Sequence, residues 1–333
     1  MSDVDRRRAV VGGVGLALGG IATARLLPEE LLLRDRRPPR SRVAIISAAR
    51  YSKGLVDSLE QGIHLFKFDL RGKSVLLKPN LVEYIPGVDV NTNPILVGAA
   101  AEALLQLGAK RVVVGEGPGH QRDTCLVLVE SGLDAQLRSQ DIKFVDLNRD
   151  ELVKVPTRAK FTGLDHLWLP RTVLTSDFIV SMPKVKTHHW AGVTLSMKNM
   201  FGVVPGTKYG WPKNILHWQG IHHSILDICT TVPIHFVIAD GIVAMEGNGP
   251  LHGTHRHLGK IILSDDPLAA DFTCARLMGL HPERVWHLDH AARFLGNGSA
   301  DRIVLLAEDL PKGVVPFNVL PQFAYLRMPV PSR

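Results

Sequence analysis

The chain has 333 residues, 45% of them hydrophobic, 6% aromatic and 21% charged, with a formal net charge of +7. That length and hydrophobicity support a full globular core and exclude a disordered chain. Nor does the charge make a nucleic-acid binder: residues 1–24 carry a net +1 and residues 25–42 a net +3, leaving +3 after Arg42. The interleaved basic and aromatic residues of a nucleic-acid platform are missing.

In chain order, Arg6-Arg7-Arg8 precedes an uncharged stretch from Ala9 to Ala22, and Ala22-Thr23-Ala24 has the A-x-A form of a cleavage site. The stretch is short for a bilayer and diluted by five glycines. It reads as a twin-arginine export signal over 1–24, which sends the protein to the periplasm or cell envelope through the twin-arginine machinery. An uncleaved membrane anchor is the alternative; otherwise the membrane is met only in transit. Passage through that machinery in the folded state implies a cofactor loaded before export. Residues 25–42 are an Arg/Pro-rich tether, 43–310 the folded domain and 311–333 a proline-rich tail.

Val43–Ser47 predicts a strand and Gly54–Phe68 the helix after it, with Leu55, Leu59, Ile63 and Phe66 at helical spacing. Ser74–Lys78 is a strand ending in Lys78-Pro79-Asn80, whose amine and amide can hold an oxyanion or carbonyl. Asn93 caps a helix over 95–107, with Pro94 in its first turn. The strand 111–114 opens into Gly115-Glu116-Gly117-Pro118-Gly119-His120, where Gly117 and Gly119 let backbone N–H groups approach an anion. Glu116 is either a base or a metal ligand. Residues 132–176 read as a crossover or small subdomain.

The densest chemistry lies in 181–210. A strand ends at Pro183, and Lys184, Lys186, Thr187, His188 and His189 follow at the expected handover to a helix over 191–201. On that helix Thr194 and Lys198 share a face, with Asn199 alongside Leu195; Lys208 follows in the loop. Such lysines either neutralise an anion or, if desolvated, supply an amine of lowered pKa. Tyr209–Gln219 reads as a lid. A strand over 233–239 then ends in Asp240, and Glu246 follows in a glycine-rich loop, two carboxylates able to hold a divalent cation or orient a lysine. Gly259–Ser264 is a late strand, and Asp265-Asp266-Pro267 starts the helix 268–278.

The chain resembles the family catalogued as domain of unknown function 362. The resemblance rests on Lys-Pro-Asn at 78–80, Gly-Glu-Gly-Pro-Gly-His at 115–120, Lys-Val-Lys-Thr-His at 184–188, Val-Thr-Leu-Ser-Met-Lys-Asn at 193–199 and the run 240–250. It covers roughly 43–308 and brings no general activity with it. Some relatives append iron–sulfur modules dense in cysteine; Cys125, Cys229 and Cys274 lie too far apart for that here.

The expected fold is an α/β sheet, mainly parallel and flanked by helices, in one body or two lobes around a cleft. All four polar loops then meet at one sheet edge. The expected function is an exported enzyme or cofactor-bearing redox protein taking a small anionic ligand, with a non-catalytic binding protein as the alternative. Lys184, Lys186, Lys198 and Glu246 are the catalytic candidates. Lys78, Asn80, Gly117, Gly119, Thr194, Asn199 and Lys208 are the ligand-binding candidates, and Glu116, His188 and Asp240 those for a divalent metal.

Overall fold

Ser74–Pro79, Arg111–Glu116 and Phe178–Met182 are short runs rich in Val, Leu and Ile, and almost every residue in them is buried. Strands apolar on both faces belong in the middle of a parallel sheet covered by helices. The computed structural model, which describes residues 35–119 and 123–330, places them there. The export signal, most of the tether and His120 fall outside the described residues.

In chain order the elements are β1 (Ser41–Ser47), α1 (Leu55–His64), β2 (Ser74–Pro79), α2 (Pro94–Gln106), β3 (Arg111–Glu116), β4 (Lys143–Asp146), β5 (Leu152–Pro156), β6 (His166–Pro170), β7 (Phe178–Met182), β8 (Lys184–His188) and β9 (Gly192–Thr194). There follow α3 (Ile221–Thr231), β10 (Phe236–Asn248), β11 (His252–Ser264), α4 (Pro267–Leu277) and β12 (Ile303–Leu305), with shorter helical turns between. The sheet runs β12-β1-β11-β10-β7-β2-β3-β4, and β8 and β9 extend it beside β10. It is mixed but mostly parallel: Leu76 of β2 pairs with Val113 on one side and Ile179 on the other, both in parallel. Among the described residues only β10–β11, β1–β11 and β8–β9 run antiparallel within it. Among the described residues the second sheet is the β5–β6 pair, in the stretch where the sequence allows a second lobe.

Side chains alternate between the sheet's two faces. Val75 and Leu77 join α1 and α2 in one apolar layer, while Leu76 joins α3 and α4 in the other. Helix starts follow local chemistry. Asn93 accepts from the Ile95 N–H at 3.0 Å before Pro94, and Asp266 accepts from the Leu268 N–H at 2.8 Å before Pro267.

Three expectations need correction. Residues 191–201 form no helix: Gly192–Thr194 is a strand on β8, followed by one helical turn at Ser196–Asn199 and a 3-10 turn at Met200–Val203. β7 does end before Pro183, but the chain does not then hand over to a helix: β8 begins at Lys184, which pairs with Asp240 in β10. Residues 35–42, assigned to the tether, already belong to the body: the Arg36 N–H donates to Phe294 O at 2.8 Å, and Ser41 begins β1.

Candidate functional site

Strands β2 and β3 end side by side, and their last residues make the floor of the site. Lys78 is fully buried; its ammonium donates to a Glu116 carboxylate oxygen, to Pro79 O at 2.7 Å and to Asn199 Oδ1 at 3.1 Å. Glu116 accepts in addition from the backbone N–H groups of Leu81 at 3.2 Å and Gly117 at 2.9 Å. A buried ion pair holds its own only when its remaining hydrogen-bonding sites are filled, and here they are. Burial still lowers the Lys78 amine below its ordinary value, with Glu116 acting the other way. Gly202 makes room for the pair: a Cβ there would lie 1.8 Å from a Glu116 oxygen and 2.6 Å from Lys78 Nζ.

Above this floor is a cavity of about 190 Å³. Of the expected residues, Asn80, Glu116, Gly117, Gly119, Lys186, His188, Thr194, Lys198 and Asn199 line it. Thr194 and Lys198 thus meet as the end of a strand and the following turn, not as two positions on a helix face. Lys78 reaches the cavity only through Glu116 and Asn199. The Gly117 N–H is engaged by Gly202 O at 3.1 Å, so it is no free anion donor.

Other candidates lie elsewhere. Strand β10 runs through to Asn248, so 240–248 is ladder and not loop. Asp240 therefore sits inside the strand, where Lys184 donates to it at 2.9 Å and Tyr51 OH at 2.8 Å. Lys184 also donates to Tyr51 OH at 3.0 Å, which closes a buried triad away from the cavity. Glu246 accepts from the Asn318 backbone and side chain, both at 3.0 Å, and Arg256 lies 3.7 Å away. Lys208 is exposed, with Nζ 4.7 Å from the centre of the Trp168 ring. Lys184, Asp240, Glu246 and Lys208 line no part of the cavity.

The sequence reading missed Lys213. This residue is 2% exposed, has φ of 69° and donates Nζ to Gly117 O at 2.7 Å and Phe201 O at 2.8 Å, bolting the 209–219 segment over the cavity. Lys186, also buried, donates to Val90 O at 2.8 Å. Lys198 is half-buried, 4.2 Å from the centre of the Phe201 ring, and has no hydrogen-bond acceptor among the described residues. None of these three amines has a carboxylate partner, and Glu116 is the single acid among the described lining residues. Burial lowers all three: Lys213 to about 7, Lys198 to about 8 with help from the Lys78 charge, and Lys186 well below its ordinary value with help from Lys184. The turn that carries Lys198 and Asn199 is itself held by buried Asp271, which accepts from the N–H groups of Ser196 at 2.6 Å and Met197 at 3.0 Å.

The opposite wall is apolar. Phe201, His217 and Trp190 follow one another, with ring centres 5.3 and 5.1 Å apart, and Trp190 is 54% exposed at the mouth. His188 Nδ1 accepts from the backbone N–H groups of Trp190 at 3.0 Å and Ala191 at 3.1 Å, so its hydrogen sits on Nε2. Burial then pulls this imidazole well below its ordinary value. A metal on Nε2 needs the hydrogen on Nδ1, so His188 is a poor ligand as held. His189 and His217 do have that tautomer, donating Nδ1–H to Gly249 O at 2.9 Å and Lys213 O at 3.1 Å. Among the described residues, however, no three His, Cys, Asp or Glu side chains converge as a metal site. With Asp240 in its triad, the set Glu116, His188 and Asp240 does not come together.

A family model described as domain of unknown function (DUF362) matches residues 75–276. The chain belongs to that family. Every lining residue named above falls within the matched span. A relative named thylakoid-associated protein sll1697, from Synechocystis sp., is 30% identical over 223 residues, covering 64% of this chain. The chain spans 65% of that relative's length. Among solved structures it is similar to the lactate racemase apoprotein of Thermoanaerobacterium thermosaccharolyticum, with a TM-score of 0.41 and 12% identity over 69% of this chain and 55% of that one. It is also similar to a Thermotoga maritima protein, with a TM-score of 0.36 and 12% identity over 65% of this chain and 56% of that one. Among the described residues no helix is long and apolar enough to cross a membrane.

Proposed function

We propose that this DUF362 protein is an exported enzyme that binds a small carboxylate or phosphate compound in its lysine-lined cavity. One observation carries the reading: Lys186, Lys198 and Lys213 surround a cavity whose single described carboxylate, Glu116, is already engaged by Lys78. An uncompensated buried charge costs several kcal/mol, roughly, so these amines either shed protons or take up an anion. Lys198 and Lys213, at about 8 and about 7, change protonation near neutrality, which suits a group that exchanges a proton during a reaction.

Titration calorimetry with inorganic phosphate and with small mono- and dicarboxylates checks this. Wild-type protein should bind at least one of them, and Lys198→Met should weaken binding at least about tenfold, the loss of roughly 1.4 kcal/mol. Wild-type protein that binds none of them overturns the reading.

The second reading, a non-catalytic binding protein, is favoured by the same pairing of Lys78 with Glu116, because it leaves no carboxylate free to act as a base. It predicts tight binding without turnover. Export rests on Arg6–Arg8 and the Ala22-Thr23-Ala24 pattern, with the relative's name compatible with a membrane-related location. Protein recovered from the periplasm should begin at Arg25. A cytoplasmic protein with Met1 or Ser2 at its start would remove this part of the reading.

A further inference from the structure

Five buried or half-buried lysines lie in and beside the site, and four of them have their ammonium groups hydrogen-bonded. Lys78 meets Glu116, Lys184 meets Asp240, Lys186 meets Val90 O at 2.8 Å, and Lys213 meets two carbonyls at 2.7 and 2.8 Å. Lys198 alone among these five touches only a ring face, Phe201 at 4.2 Å, within the described residues. Nothing there prevents its nitrogen from turning a lone pair into the cavity. Lys186 and Lys213 line the same cavity without a carboxylate partner, so an anion bound between them favours their charged forms, and the aromatic run from Phe201 through His217 leads from Lys198 to Trp190 at the mouth. A ligand matched to these groups has a carboxylate, an electrophilic carbon and an apolar side chain.

We propose, resting on the anion-site reading above, that Lys198 forms a reversible imine with the carbonyl carbon of a 2-oxo acid bearing an apolar side chain. Lys186 and Lys213 hold the carboxylate. The neutral Lys198 amine adds its lone pair to the keto carbon, the carbonyl π pair moves to oxygen, and one of the two amine protons passes to that oxygen. A second proton, from a neighbouring ammonium group, lets that oxygen leave as water while the nitrogen lone pair forms the C=N bond, and the proton left on Nζ returns to the amine that gave one. With the amine held at about 8, about a tenth of it is neutral at pH 7. Lys208 is the internal control: it also stacks on a ring, Trp168 at 4.7 Å, but in solvent.

The experiment incubates full-length protein with phenylpyruvate and cyanoborohydride, which reduces an imine to a stable secondary amine, followed by intact mass and peptide mapping. The expected result is one adduct, on Lys198, formed at least about tenfold faster than on Lys208 and suppressed by inorganic phosphate. Lys198→Met should abolish it. Lys198→Arg keeps a positive charge at that position but cannot form the imine, so it should lose the adduct whatever its phosphate affinity. Phosphate binding without a Lys198 adduct overturns the imine and leaves the anion site standing. An adduct spread over exposed lysines and unchanged in Lys198→Arg overturns it as well. Protein that binds neither probe overturns both.

Discussion

Lys184 and Lys186 sit two residues apart in sequence and behave oppositely. Lys184, with Tyr51 and Asp240, closes on itself: both partners lie within 3.0 Å, and none of the three lines the cavity. Lys186, two positions on, shares a cavity with Lys198 and Lys213, and not one of these three meets a carboxylate. The first arrangement completes its electrostatics inside the protein. The second leaves them to be completed by something else, and residue type alone therefore does not tell a structural lysine from a functional one. What separates them is whether the opposing charge is built in.

The largest expected effect is at the closed group. Asp240→Ala strips Lys184 of its carboxylate in a dry site and should cost about 3–5 kcal/mol, read by urea unfolding, while phosphate affinity of the folded protein stays within about twofold. A loss of binding equal to that of a cavity variant would dissolve the distinction between the two groups.

A matched pair of substitutions sharpens it. Lys184→Met leaves Asp240 buried without its cation and should destabilise by several kcal/mol, roughly, whereas Lys213→Met removes an uncompensated amine but leaves the Gly117 and Phe201 carbonyls without its donor, and should cost less, about 1–3 kcal/mol. In binding the order reverses: Lys213→Met should weaken phosphate binding by about tenfold. Equal stability losses from the two variants would contradict the assignment.

The last test varies pH alone. Between about 7 for Lys213, about 8 for Lys198 and the ordinary 10.5, each amine binds fewer protons folded than unfolded. Stability of the ligand-free protein therefore rises with pH across that window, because the unfolded chain holds the extra protons. Anion binding needs the charged amines and should fall over the same range. Unfolding and calorimetric titrations at pH 7 and 9 read the two trends, and parallel trends would argue against these lysines as the anion's partners.

Much of the parallel sheet was legible, because β2, β3 and β7 are apolar runs closed by Pro or Gly and the caps at Asn93 and Asp266 are local. The segment 191–201 was not. A three-residue strand such as Gly192–Thr194 owes its existence to pairing with β8, a partner that no window of local sequence contains. The same blindness applied to β10, whose 13 residues continue as strand because β11 pairs with them beyond the sheet edge, carrying Asp240 and Glu246 away from the site. Asn80, Glu116, Lys186 and Lys198 could be chosen because they follow strand ends or crowd together in sequence. Lys213 could not: its role depends on the carbonyls of Gly117 and Phe201, one of them 96 residues away.

Gly202 has a bearing on inheritance. Since even a methyl group at this position would collide with both Glu116 and Lys78, a glycine and that ion pair should be kept or lost together as lineages diverge. A DUF362 relative with a bulkier residue there would have rebuilt the floor, and its cavity would answer to a different ligand. One position thus offers a way to sort the family into members that share this chemistry and members that have left it.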